Sequence, residues 1–260
     1  LPYLPGSTVK GCARRMALQA LHDWIEARSD RPAADDIGSP CCEGFSKPAD
    51  LLAAIALVFG WVEQDWNSDK NRDKQTHQET TWKSDFAWAC HGDFQSIWRT
   101  AATALCRQFR AIISDPDQPW KSLPNCAGSV AFLAAYPNTD PGLELDVVTC
   151  HHGDYYSGKK DNQGRLVMPI ATDTEEPIPV LFPAVKPQKE TDYFSFPLIP
   201  LRNADPKLLA AAKSWLANGL EIFGLGGKTN AGYGWFDASD ELNLNVKDGL
   251  ARKTKAEVEE

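Results

Sequence analysis

The sequence predicts an α+β protein in which helices and antiparallel strands are partly segregated along the chain. Apolar residues recur at helical spacing in the first half and again beyond residue 205. Between about 129 and 201 the pattern changes to short apolar stretches bounded by glycine and proline, the signature of strands.

The elements follow in order. Pro5-Gly6 signals a turn, and Ser7 or Thr8 is placed to cap a helix. Ala13, Met16, Ala17, Ala20, Leu21 and Trp24 then share one helical face. Lys10 and Arg14, one turn apart, flank that stripe near its start. Such a pair is either a solvated helix edge or, with the free N–H groups of a helix start, a phosphate seat. A second helical segment is expected from Pro48 to about Trp66. The polar stretch from Asn67 to Asp85 lacks periodicity and is expected as a loop or insertion. A third helix is expected from about Asp93 to Ile113, with Phe94, Ile97, Trp98, Ala101, Leu105 and Phe109 as its stripe.

Strands are expected at SVAFLAAY, LELDVVT, IPVLFPAV and DYFSFPLIPL, the last two joined by KPQKET as an antiparallel hairpin. Pro183 and Pro197 push their strands toward an edge or a bulge. Asp205-Pro206 places a cap before proline at the first helical position. Leu208, Leu209, Ala212, Trp215, Leu216, Leu220 and Phe223 carry that helix through Gly219. GWFD, from Gly234, is expected as a short strand, and residues from about 240 to 260 as a charged tail. With no internal repeat and no clear linker, the expectation is one domain over 1–260, carrying a helical and polar insertion at about 48–125.

Composition excludes several classes. A chain of 260 residues with 43% hydrophobic and 24% charged content is ordinary for a globular protein. The longest apolar run, LLAAIALVFGWV, is far short of the ~20 residues that cross a bilayer, and no signal segment is present, so a cytoplasmic protein is expected. Seven cysteines, odd and scattered, point to reduced thiols. Cys41-Cys42, Cys90-His91 and Cys150-His151-His152 lack CxxC or HxxxH spacing, so no metal is expected. A net charge of −8 argues against a protein that coats nucleic acid by bulk charge, and leaves room for a local basic groove. Its candidates are Lys10, Arg14 and Arg15, then Lys159, Lys160 and Arg165, and Lys228.

The run GLGGKTNAGYG, Gly224 to Gly234, holds five glycines around Lys228-Thr229. A P-loop would need glycine at 222, where isoleucine stands. GxGxxG fails at Thr229 and again at Asp237. The run is therefore not a mononucleotide or dinucleotide loop.

Three stretches belong together: PYLPGSTVKGCARR at the start, AFLAAYPNTDPGLELDVVTCHHGDYY in the middle, and GLGGKTNAGYG near the end. In this order they resemble the RAMP superfamily of CRISPR effector proteins, most closely the sixth-subunit family of the Cmr module of type III-B interference complexes. Two positions depart from that family's pattern: Cys150 stands where proline is common and Ala134 where an acid is common. The resemblance implies a ferredoxin-like (RRM-like) core with the glycine loop between its last helix and last strand. It also implies a first strand before PYLPGS, so that the sequence is expected to be N-terminally incomplete. The implied function is a non-catalytic RNA-binding backbone subunit of a ribonucleoprotein. It would hold the 3′ part of the guide RNA, meet target RNA and other RAMP subunits, and need no cofactor, membrane or small-molecule substrate.

A guide must be accepted whatever its sequence, so phosphates and sugars are the expected contacts. The candidate RNA-binding residues are Lys10, Arg14, Arg15, Gly226, Gly227, Lys228, Thr229, Asn230 and Tyr233. The glycines bring backbone N–H groups close to a polymer, Lys228 adds charge, Thr229 and Asn230 add hydrogen bonds, and Tyr233 a ring. Lys10, Arg14 and Lys228 are expected on one face. The same loop also fits a packing turn whose glycines serve close helix contact. An alternative chemistry uses His151, His152 and Tyr155 with Lys159 to cleave RNA without metal, by deprotonating a 2′-hydroxyl and protonating the leaving oxygen. Asp146 with the two histidines could instead hold a metal. The plainer reading of HHGDYY is a hydrogen-bonded scaffold or an RNA contact.

Overall fold

The computed structural model of the chain describes residues 2–30, 40–73, 79–150, 158–168, 178–189, 192–201 and 204–238. These form two compact units, a larger one built from Tyr3–Ala135 with the chain from Phe196 onward, and a smaller one around Tyr136–Ser195. The segment expected as an insertion, 48–125, packs inside the larger unit.

The larger unit opens on α1, Gly6–Asp30. Its start is fixed by backbone: the Pro5 carbonyl accepts from the N–H groups of Thr8 and Val9, so Ser7 and Thr8 lie inside the first turn rather than capping it. Leu4 and Ala135 exchange two hydrogen bonds of 2.9 Å. A side chain at Gly6 would come within 2.4 Å of the Phe132 carbonyl, so only glycine lets the helix begin this close to the strand Val130–Phe132. Of the predicted stripe, Ala13, Met16, Ala17, Ala20 and Leu21 are buried, joined by Val9, Cys12 and Leu18, while Trp24 at its end is half-buried.

α2, Pro48–Phe59, is buried on most of its surface. It stops earlier than expected, at Gly60, whose φ is +78°. There the chain turns into Gly60–Trp61, which pairs antiparallel with Cys126–Ala127. A Cβ on Gly60 would meet the Cys126 carbonyl at 2.5 Å. The apolar residues up to Trp66 thus belong to a strand pair and a 3-10 turn, Glu63–Trp66. The expected loop after it contains an exposed hairpin, Lys70–Arg72 with Glu79–Trp82, and a short helix, α3, Asp85–Ala89. Ser84 caps α3 by accepting from the Ala87 N–H. Polar, two-sided strands and a five-residue helix leave no periodic signal.

The expected third helix is two elements. Asp93 caps a π-turn, Phe94–Trp98, and α4 follows over Arg99–Gln108. Arg110, at φ +55°, ends the run before Ile113. Ile97, Trp98, Ala101 and Leu105 are buried as the stripe required, and Phe94 is half-buried. Phe109 is partly exposed and meets Trp61 edge-on at 5.4 Å.

α5, Pro206–Ile222, begins as predicted, with the Asp205 carboxylate accepting from the Lys207 N–H and proline in the first turn. It lies along α1 at Gly219, where a Cβ would fall 3.0 Å from Cys12 Sγ and 3.3 Å from Met16 Cβ. Val130–Phe132 and Leu198–Pro200 form an antiparallel pair; α5 rests on both strands and α1 on Val130–Phe132.

In the smaller unit, Gly142–Cys150 pairs along its whole length with Ile178–Lys186, Val147 opposite Leu181. The expected hairpin of Ile178–Val185 with the 192–201 stretch is therefore not formed. The Asp192 carboxylate accepts from the Thr139 hydroxyl and from the N–H groups of Gln188 and Lys189, and this closes the connection as a separate turn. The 192–201 stretch divides at Pro197: Phe194–Ser195 pairs with Tyr136–Pro137, and Leu198–Pro200 serves the larger unit. Pro183 sits in a two-stranded ribbon, where every strand has an open edge. Among the described residues all sheets are two-stranded and antiparallel. Mixed helix and antiparallel strand is the α+β class that the sequence predicts.

Candidate nucleic-acid interface

α5 ends at Phe223 and runs into the glycine loop. Gly224, at φ +66°, and Leu225 are buried, and the Leu225 N–H donates to the Gly234 carbonyl at 2.7 Å, closing the loop at its neck. Gly234 has φ +69°, and a Cβ on it would lie 2.2 Å from the Leu225 carbonyl. These two glycines are needed for the fold itself. The tip is different. Lys228, Thr229, Asn230 and Ala231 make a single 3-10 turn in which the Lys228 carbonyl accepts from Ala231 and Tyr233. Gly226, Gly227 and Gly232 face open space, with no described atom within 4 Å of a Cβ built on them. Gly226 and Gly232 still need glycine for their positive φ. Gly227 has neither a positive φ nor a neighbour. The N–H groups of Gly226 and Gly227 donate to no acceptor among the described residues. Packing thus accounts for the neck of this loop and leaves at its tip two backbone donors without a described acceptor, beside an exposed lysine.

Lys228 itself is held at φ +61°, a conformation that costs a residue with a Cβ. Thr229 is half-buried, Asn230 exposed and Tyr233 half-buried. The GWFD segment is not a strand in the structure. Trp235 instead turns back, its indole N–H donating to the Thr229 carbonyl at 3.0 Å.

The loop's root is fastened to α1. The Cys12 thiol reaches the Gly224 carbonyl at 3.9 Å, and the Arg15 guanidinium lies over the Phe223 ring at 4.0 Å. At ~100° per residue, Cys12 is about 160° around α1 from both Lys10 and Arg14. The expected single face for Lys10, Arg14 and the loop is therefore divided at its root, and Arg15 is the cation that sides with the glycines. Lys10 and Arg14 line a separate open cleft of about 440 Å³ with Gly60, Gly128, Asp65 and Asp85.

In that cleft Arg14 is committed. It pairs with Asp65 at 3.2 Å and with Asp85, and its guanidinium lies 5.6 Å from the centre of the Phe86 ring. Asp65 is itself positioned by accepting from the Val62 N–H at the head of its 3-10 turn. Lys10 forms no ion pair among the described residues. Burial, and then the neighbouring Arg14, hold its amine below the ordinary lysine value of 10.5. Two cations face two carboxylates, so the cleft is not a basic groove. Asp65 escapes sequence reasoning because it falls in the segment expected as helix up to Trp66, Asp85 because it closes the stretch without periodicity, and Trp235 because it falls in a segment expected as a strand.

The histidine-tyrosine alternative falls on residues outside the described ones: His151, His152, Tyr155 and Tyr156 are among them. Asp146, the acid considered with them, lies in the Gly142–Cys150 strand and accepts from the Val147 N–H. Lys160 and Arg165 are exposed, around the small hairpin Lys159–Lys160 with Leu166–Val167.

Comparison with known proteins agrees with the motifs. The family described as the RAMP superfamily matches residues 1–237. The CRISPR system Cmr subunit Cmr6 of Pyrococcus furiosus is 25% identical over 252 residues, 90% of this chain and 57% of that protein. The chain thus spans a little over half the length of this relative. The crystal structure of Cmr6 from Pyrococcus furiosus aligns at a TM-score of 0.33 and 19% identity, over 90% of this chain and 82% of that one. With the family matched from the first residue through the glycine loop, the chain is a member of the RAMP superfamily.

Proposed function

We propose that this chain is a non-catalytic RNA-holding subunit of a type III-B CRISPR ribonucleoprotein of the cytoplasm. In this reading it holds the 3′ part of the guide RNA beside other RAMP subunits and takes part in antiviral interference with target RNA. The reading rests on one observation above all. Nothing among the described residues requires glycine at 227, and with Gly226 it presents N–H groups that donate to no described acceptor, beside Lys228. A phosphate is the group that fits unused backbone donors next to a cation. Arg15, exposed at the loop's root, extends the same surface, while Thr229, Asn230 and Tyr233 supply the turn behind it. Lys10 adds charge from its own cleft, and Arg14 braces that cleft.

The family and the similarity to a Cmr subunit support membership of such a complex. The order α1, Val130–Phe132, Leu198–Pro200, α5 supports a ferredoxin-like core, since both helices pack on Val130–Phe132 and the glycine loop follows the second helix. Binding of a single-stranded RNA oligonucleotide, followed by fluorescence anisotropy across a salt series, tests the reading. Lys228→Ala is expected to weaken binding and to flatten the log–log salt slope by about 0.7, the share of one phosphate on a single strand. Absence of RNA binding by the parent chain, alone and with its neighbouring subunits, would overturn the reading.

A further inference from the structure

Trp235 follows the glycine loop directly and is 52% exposed. An indole in solvent usually swings between rotamers, but this one is tethered: its Nε1–H donates to the Thr229 carbonyl inside the loop's 3-10 turn. The backbone on either side is fastened as well. Gly234 is pinned to Leu225, and Phe236 packs edge-on against Phe196 at 5.4 Å. The polar end of the ring is thus satisfied by the loop, and its apolar area remains available in a fixed orientation. Tyr233, the ring expected to stack from the sequence, is half-buried and less accessible.

We infer that Trp235 is a stacking platform for an unpaired base of the RNA whose phosphate the Gly226, Gly227 and Lys228 tip receives. The inference rests on the RNA-holding reading and adds a base contact to it. Every base has a π-face, so a ring of this kind orders a strand without reading its sequence, as a guide-holding surface requires. Tethering the ring beforehand removes the rotamer freedom that stacking would otherwise have to freeze.

Two oligomers of equal length separate the possibilities: ordinary single-stranded RNA, and a ribose-phosphate oligomer without bases. Trp235→Ala is expected to weaken binding of the ordinary RNA on the order of 10-fold and to leave the base-free oligomer unchanged. Trp235→Phe, which keeps a ring and loses the tether, should fall between. Lys228→Ala should weaken both. Melting curves of each variant keep a folding defect apart from a binding one. If Trp235→Ala binds ordinary RNA like the parent while Lys228→Ala weakens both ligands, stacking is refuted and the phosphate reading stands. If the parent binds neither, both are overturned.

Discussion

Lys10 and Arg14 stand one turn apart on α1 and line the same cleft, yet their energetics differ in sign. Arg14 ties α1 to two carboxylates and covers part of the Phe86 ring. Arg14→Ala is expected to lower stability by roughly 1–2 kcal/mol in denaturant melts, because Asp65 and Asp85 lose their partner and the ring its cover. Lys10 is partly desolvated beside a like charge and has no counter-ion among the described residues. Folding lowers its proton affinity, so the unfolded chain binds more protons in the alkaline range just below 10.5, and stability contributed by this site rises with pH there. Below that range the protonated amine subtracts from stability. Lys10→Met should therefore leave the protein at least as stable near neutral pH and flatten its alkaline pH dependence. A loss of stability comparable to that of Arg14→Ala would show that Lys10 has a structural partner after all. Lys228 carries a related signature, since its left-handed backbone costs ~1–2 kcal/mol for a residue with a Cβ. Lys228→Gly should not lower the melting temperature, while RNA binding falls.

At the scale of elements, the glycine loop divides into a neck that serves the fold and a tip that does not. Gly234→Ala forces a Cβ against the Leu225 carbonyl at a positive φ, and is expected to cost roughly 1–3 kcal/mol of stability. Gly227→Ala meets nothing and should change stability by less than ~0.5 kcal/mol while weakening RNA binding several-fold. Equal stability losses for the two would mean that the tip is packed in the folded chain. The loop's helix was legible because cap, proline and apolar stripe all agree over Asp205 to Leu220. α1 was legible for the same reason, apart from its cap. The ends of α2 and α4 were not, since Gly60 and Arg110 stop them through approaches and dihedrals that involve residues far away in the chain or a single backbone angle. Strand existence was largely legible between 129 and 201, but partners were not. Sequence proximity favoured a hairpin across KPQKET, and the Asp192 turn diverted the chain so that 178–186 pairs with 142–150.

For the whole molecule, the cysteines behave as core residues. Among the described residues Cys12, Cys41, Cys42, Cys90 and Cys106 are buried thiols outside any disulfide, and Cys126 is half-buried. Burial pushes Cys12 up to about 11 against the opposing charge of Arg15, and raises Cys90 well above the ordinary thiol range. A thiol reagent is expected to reach Cys126 in the native protein and to label Cys12, Cys90 and Cys106 only as the chain unfolds, as peptide mapping of the adducts can read. Labelling of Cys90 in the native state would show that its surroundings open on the timescale of the reaction. Three stretches in order carried the resemblance to the family, and local pattern carried the class, most of the helical stripes and the exclusion of nucleotide loops by register. Those follow from local spacing, which survives without knowledge of contacts. Tertiary contacts were needed to learn which charges are spoken for, which glycines the fold requires, and which way each side of α1 faces. Asp65 and Asp85 claim Arg14, α5 and the loop claim the Cys12 side, and Thr229 claims the indole of Trp235. Each of these is a contact between residues whose pairing no local pattern records, because it is fixed by where the chain returns rather than by what it is locally.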